Sequence, residues 1–142
     1  MTTKLICIEG NLGAGKTTLA KALAKKLDSH LILEAFLNNP FLADLYSDKV
    51  ESKFPAEVFF LMERQEQLSI EKVKKHELII SDYLIEKTQI FASVNLNSNE
   101  KKLFQRIFQS VKTQVKQPDA IIFIEQTPEQ APEVTAHTEE VL

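Results

Sequence analysis

Cysteine is nearly absent. Cys7 stands alone, which excludes an internal disulfide and a cysteine-built zinc cage. Arginine is almost as scarce, present as Arg64 and Arg106 alone. The net charge is -3 and no basic stripe runs along the chain, so a nucleic-acid partner held by phosphate contacts is not expected. No apolar run could span a bilayer, and the opening MTTKLICIEG lacks the apolar stretch of a signal peptide. These absences lead us to expect a cytoplasmic protein without membrane contact. Glycine is the third scarcity and the most informative. The chain has three, Gly10, Gly13 and Gly15, in a single short loop. What remains is ordinary: 142 residues, 44% hydrophobic and 26% charged, predict one globular domain with at most a short appendage.

The pattern along the chain is that of an α/β protein. Residues 4–9, KLICIE, form an apolar, partly β-branched run that suits a buried strand. Residues 17–27 place Leu19, Leu23 and Leu27 on one face of an amphipathic helix, with lysines elsewhere. Residues 31–34 make a second short apolar run ending in a carboxylate. Asn38, Asn39 and Pro40 mark a turn, with Asn39 as N-cap of a helix that Pro40 begins. Residues 54–75 read as one long helix, with Val58, Leu61, Met62 and Leu68 towards the core. A third run at 78–81 ends at Asp82. Residues 99–115 carry Leu103, Phe104, Ile107, Phe108, Val111 and Val115 at helical spacing, and AIIFIE at 120–125 is a fourth strand. Strands alternating with helices imply a parallel sheet with helices on both faces. Residues 126–142 differ in composition, and we expect an irregular tail there beside a domain spanning 1–125. Cys7 is expected to be a buried small hydrophobe. His30, His76 and His137 show no metal-ligand spacing and read as surface residues.

The glycine loop carries the chemistry. Gly10-Asn11-Leu12-Gly13-Ala14-Gly15-Lys16-Thr17 fits the phosphate-loop pattern G-x-x-x-x-G-K-[ST] and lies between a strand and a helix, as that motif requires. The glycines let successive N–H groups point at phosphates, and the positive end of the following helix adds to them. With Thr18, these residues form the candidate ATP site. Lys16 would reach the β- and γ-phosphates, and the Thr17 hydroxyl would ligate Mg²⁺. A regulatory GTPase needs an Asn-Lys-x-Asp motif, and the nearest string, Asn99-Glu100-Lys101-Lys102, lacks it. A transporter-type ATPase needs a later glycine-rich signature, and no glycine follows Gly15. A P-loop kinase of small molecules is the remaining expectation.

The strings IEGNLGAGKTTLA, LILEAF, NNPFLADLY, FPAEVFFLMERQEQL, IISDYLIEKTQIFA and QPDAIIFIEQTPE occur in that order from Lys4 to about Glu129. Together they resemble the deoxynucleoside kinase family, most of all its bacterial deoxyguanosine and deoxyadenosine kinase-like members. The resemblance implies a P-loop kinase fold, usually dimeric. It also implies transfer of the ATP γ-phosphoryl group to a deoxynucleoside 5′-hydroxyl, with purines favoured. It makes Glu34 the base that takes the 5′-hydroxyl proton, with Lys16 as its catalytic partner, and Asp82 a contact of Mg²⁺ beside Thr17. On the substrate side it assigns Tyr46 to the sugar 3′-hydroxyl, Glu57 and Arg64 to the base, and Phe91 to the base plane. Read without the family, Tyr46 and Phe91 are core aromatics, and Glu57 and Arg64 a charge pair on one helix face.

Two departures stand out. Tyr83 occupies the place where the family often has a phosphate-clamping arginine. The family continues with an arginine-rich lid and a further strand, whereas no arginine follows Arg106 and the chain ends in PEQAPEVTAHTEEVL. A chain so shortened is expected to leave its fourth strand with an unpaired edge and to turn over slowly. The alternatives are a lidless nucleotide-binding remnant, another small-metabolite P-loop kinase, or the kinase part of a protein fused to a folate-pathway pterin pyrophosphokinase.

Overall fold

The structure is a computed structural model, and it describes residues 2–11, 14–35, 39–45, 50–125 and 135–140. Backbone contacts divide the chain into two interleaved units. The first comprises Met1–Glu34, Val73–Leu84 and Lys116–Leu142, and the second Ala35–Lys72 and Ile85–Val115.

The first unit is a five-stranded sheet. Its strands are β1 (Lys4–Gly10), β2 (His30–Ile32), β3 (Leu78–Ser81), β4 (Ala120–Glu125) and β5 (Thr135–Glu140), in the spatial order β2-β3-β1-β4-β5. The first four are parallel, with Ile6 opposite Ile80 on one side of β1 and Ile8 opposite Ile122 on the other. Leu5, Cys7 and Ile8 of β1 are all buried, as expected of a central strand in a parallel sheet. The start of β1 is locked to β4: Leu5 N–H donates to Asp119 Oδ2 at 2.8 Å, and Asp119 N–H donates back to Leu5 C=O at 2.8 Å.

Helix α1 (Lys16–Leu27) lies on this sheet. Ala20 and Ala24 are small enough to bring its backbone close, and they pack with Ile8, Ile80 and Ile124 under Leu19 and Leu23. Leu27, expected on the buried face, is 46% exposed, because the helix ends one residue later at Asp28 in a left-handed conformation. His30 and His76 stand side by side where β2 starts and β3 is about to start. Their rings stack at 3.8 Å between centroids, and burial with the neighbouring His76 lowers the pKa of His30.

Residues 135–140, inside the tail expected to be irregular, form β5. It pairs antiparallel with β4 from Ala120–Glu140 to Glu125–Thr135, so the edge expected to be unpaired is occupied. The polar sequence TAHTEE gives no apolar period, and its pairing rests on backbone hydrogen bonds.

The second unit is helical. It contains α2 (Leu42–Leu45), a 3-10 turn at Val50–Ser52, α3 (Lys53–Leu68), most of α4 (Ile70–Val73), α5 (Lys87–Asn95) and α6 (Ser98–Lys112). The expected Asn39 turn is present: Asn39 Oδ1 accepts Phe41 N–H at 2.9 Å, while its Nδ2 donates to Ala56 C=O. The single long helix expected over 54–75 is broken at Ser69. That residue is extended and pairs with Val115, while Ile70 N–H donates to Gln114 C=O. Helix α6 starts with a capping box in which Asn97 and Glu100 each take the other's N–H. Phe104, Phe108 and Val111 face inward as expected, but Leu103 is 50% exposed, and Met62 on α3 is 52% exposed. The apolar stripes are wider than the faces that the three packed helices bury. No helix among the described residues is long and apolar enough to cross a membrane.

Candidate functional site

β1 ends at the glycine loop, and the reason for glycine is local at two positions. A Cβ on Gly10 would lie 2.9 Å from the Ile124 carbonyl oxygen of β4, so the strand could not close with any side chain there. Gly15 has a φ of 88°, the left-handed conformation from which the chain turns into α1. Between them, Ala14 N–H donates to Asn11 C=O at 3.0 Å, and Leu19 N–H donates to Gly15 C=O as the first helical bond. Asn11 and Thr18 are exposed, whereas Ala14 is buried. Leu12 and Gly13 lie outside the described residues. The first-turn N–H groups of α1 have no helical acceptor and are available to an anion.

Lys16 opens α1 with its Nζ 3.5 Å from Glu9 Oε1, which also accepts Gly10 N–H at 2.8 Å. Glu9 is a buried carboxylate beside the loop that the sequence reading did not single out. Its signal was its position immediately before Gly10.

Three elements meet at Asp82, just past β3. Asp82 is 4% exposed as a residue, and its carboxylate accepts the Thr17 hydroxyl at 2.6 Å through Oδ2 and Glu34 N–H at 2.8 Å through Oδ1. Asp82 N–H in turn donates to Ile32 C=O at the end of β2. The start of α1 and the ends of β2 and β3 thus converge on one carboxylate, at the C-terminal end of the parallel strands where α/β folds place ligands. Glu34 itself is half-buried, two residues beyond β2. Thr17 and Asp82 put two hard oxygen donors together, a set suited to Mg²⁺. No group of three or more potential metal-ligating side chains occurs among the described residues. Tyr83 is fully buried, its N–H donating to Ser81 Oγ at 3.1 Å.

The second unit holds a separate polar cluster. Glu57 and Arg64 lie two turns apart on α3 and are 2% and 4% exposed, so the charge pair on a helix surface is excluded. Arg64 Nη1 donates to the hydroxyl of Thr88, and Asn95 Nδ2 donates to Glu57 Oε1 at 3.0 Å. Burial raises the Glu57 pKa above its ordinary value, against the opposing pull of the Asn95 hydrogen bond and the Arg64 charge. Thr88 and Asn95 were not singled out from sequence. Their only signal is a spacing of two turns on α5, equal to that of Glu57 and Arg64. Phe91, between them on α5, is 43% exposed, with Lys87 Nζ 5.8 Å from its ring centroid. Tyr46 lies outside the described residues.

Sheet order, loop sequence and Asp82 junction define an α/β protein of the P-loop class. Residues 6–135 match the deoxynucleoside kinase family. The chain belongs to that family. It is 37% identical over 126 residues to a deoxyguanosine kinase of Bacillus subtilis (strain 168), a match covering 87% of this chain and 61% of that one. It is 30% identical over 133 residues to a deoxyadenosine kinase of Dictyostelium discoideum, covering 89% and 53%. Among solved structures it is similar to a deoxyadenosine kinase from M. mycoides with bound dATP, with a TM-score of 0.71 at 26% identity. That match covers 84% of this chain and 63% of the other. The chain therefore spans about 61% of the length of the Bacillus subtilis relative.

Proposed function

We propose that the chain transfers the γ-phosphoryl group of ATP to the 5′-hydroxyl of a deoxynucleoside, with purine deoxynucleosides as acceptors. The observation that carries this reading is the junction at Asp82, which joins the phosphate loop through Thr17 to the backbone of Glu34. A phosphoryl transfer needs a phosphate cradle, oxygen ligands for a metal, and a carboxylate for the hydroxyl proton. The first unit holds candidates for all three. Loop N–H groups from Gly10 to Thr18 and the Lys16 ammonium would hold the phosphates, and Thr17 and Asp82 would hold Mg²⁺. The metal, when bound, neutralises phosphate charge. Glu34 would take the proton from the 5′-oxygen as that oxygen forms its bond to phosphorus and ADP leaves.

Glu57 and Arg64, with Phe91 and Tyr46, are the nucleoside-reading residues in this reading. The names of the relatives, deoxyguanosine and deoxyadenosine kinases, support a purine acceptor. The protein would act in the cytoplasm as a homodimer. Ile90 and Val94, one turn apart on α5 and 61% and 78% exposed, are apolar side chains a second copy would cover.

The test is transfer of labelled γ-phosphate from ATP to deoxyguanosine, deoxyadenosine, deoxycytidine and thymidine by the purified chain. Purine deoxynucleoside monophosphate should form with the wild-type chain. Formation should fall about 10²–10⁴-fold in Glu34→Gln while ATP affinity is kept. ATP binding without transfer to any acceptor would refute the kinase reading.

A further inference from the structure

The polar cluster of the second unit has an internal order. Glu57 and Arg64 occupy one face of α3 at a spacing of seven residues, and Thr88 and Asn95 occupy α5 at the same spacing. The pairs match in antiparallel fashion, Asn95 to Glu57 and Thr88 to Arg64. Thr88, which accepts from Arg64, is buried and Asn95, which donates to Glu57, is half-buried, while Glu57 itself is 2% exposed.

The two oxygens of Glu57 are therefore not equivalent. Asn95 offers an amide N–H, which needs an acceptor, so Oε1 must keep a lone pair towards it. Any proton that Glu57 carries is favoured on Oε2, because an unprotonated Oε1 is the stronger acceptor for that amide. A buried carboxyl is costly, and a leucine or glutamine would fill this place at lower desolvation cost. Its presence beside a partner that fixes one oxygen is understandable if the other oxygen has a ligand to read.

We propose that Asn95 is a specificity-determining positioning residue: its amide holds Glu57 Oε1 and leaves Oε2 as the single atom that Glu57 presents to the purine edge. This rests on the nucleoside-kinase reading for the ligand, but the Asn95–Glu57 link itself does not. Without Asn95, the carboxyl turns freely between its two oxygens, and discrimination between guanine and adenine edges changes.

Two measurements on the full chain test this. The first follows the side-chain carboxyl carbon of Glu57 by NMR through a pH titration. In Asn95→Leu, and in the smaller Asn95→Ala should the leucine fail to fold, the midpoint should move to higher pH, because a bond favouring the charged form is lost. An unmoved midpoint overturns the proposal, whatever the ligand. The second is calorimetric binding of deoxyguanosine and deoxyadenosine to the wild type, Asn95→Leu, Glu57→Leu and the double variant. The ratio of the two affinities should change about threefold or more in Asn95→Leu, and the second substitution should add nothing in the Glu57→Leu background. A purely structural Asn95 would instead weaken both nucleosides together and leave the ratio alone, which overturns the specificity role. Normal ATP binding with no nucleoside bound by the wild type would overturn the nucleoside-kinase reading, and with it the specificity role. A moved midpoint would then leave the Asn95–Glu57 link standing.

Discussion

Substituting the two described loop glycines by alanine should produce two losses of similar size with different causes. At Gly10 the added Cβ lies 2.9 Å from the Ile124 carbonyl oxygen and 3.4 Å from the Cβ atoms of Ala14 and Ile124. The oxygen belongs to the backbone of β4, in register opposite Gly10, so relief requires the two strands to separate. Overpacking of this kind costs about 1–3 kcal/mol. At Gly15 nothing lies within 4 Å of the added Cβ, but φ is 88°. The cost there is backbone strain, about 1–2 kcal/mol for an L-residue in the left-handed region. Thermal melts of Gly10→Ala and Gly15→Ala should both show midpoints lowered by several degrees. Asparagine separates the causes. It tolerates the left-handed conformation, so Gly15→Asn should recover much of the loss, whereas the larger Gly10→Asn should be no better than alanine. Rescue by asparagine at both sites, or a wild-type midpoint for Gly10→Ala, would refute the geometry of the loop.

Three further outcomes are expected. Asp82→Asn keeps the shape but turns Oδ2, which faces the Thr17 hydroxyl at 2.6 Å, into a neutral donor or acceptor. It should lower stability by about 1–2 kcal/mol in urea melts, and Mg²⁺ should then no longer strengthen ATP binding in calorimetry. Burial alone would raise the Asp119 pKa, but the Leu5 N–H and the Lys116 ammonium at 2.9 Å outweigh it and hold the carboxyl below its ordinary value. Its stabilising contribution is present above the unfolded pKa and lost as pH falls through the lower folded value. Asp119→Asn should therefore be less stable than wild type at neutral pH, and the gap should close below about pH 4 in urea melts. Glu57 is the opposite case, raised by burial, so the protonated form stabilises the fold below the unfolded pKa and that gain disappears as pH rises through the folded value. Relative to wild type, Glu57→Gln should gain stability between about pH 4 and neutrality, and a difference that stays constant with pH would refute the burial argument.

What could be read from the sequence follows the distance over which each feature is encoded. The phosphate loop is contiguous, and its flanking strand and helix carry their own periodicity, so Gly10 to Thr18 was legible without a partner element. β1, β3 and β4 were legible because buried parallel strands are apolar throughout. β5 was not, since an edge strand such as TAHTEE is held by backbone bonds that leave no apolar signature. The break at Ser69 was hidden for a related reason. Serine is no helix breaker, and the bend is fixed by pairing with Val115, 46 residues further along the chain.

The site divides in the same way. Asp82 and Thr17 are 65 residues apart, and only the family resemblance joined them before the 2.6 Å contact did. Glu57 and Arg64 share a helix face by spacing alone, but spacing cannot say whether that face is wet. Read as a surface they form an exposed charge pair; in the structure they are buried, and burial is what raises the Glu57 carboxyl. Their partners Thr88 and Asn95 become visible only once α5 is laid against α3, because a residue's power to hold another depends on packing that neither segment encodes by itself. The residues proposed to hold phosphate are thus written in one stretch of chain. The residues that would set the preference for one base over another are distributed between two helices, and on the proposal made above a substitution at Asn95 would alter that preference while every motif in the sequence stays intact.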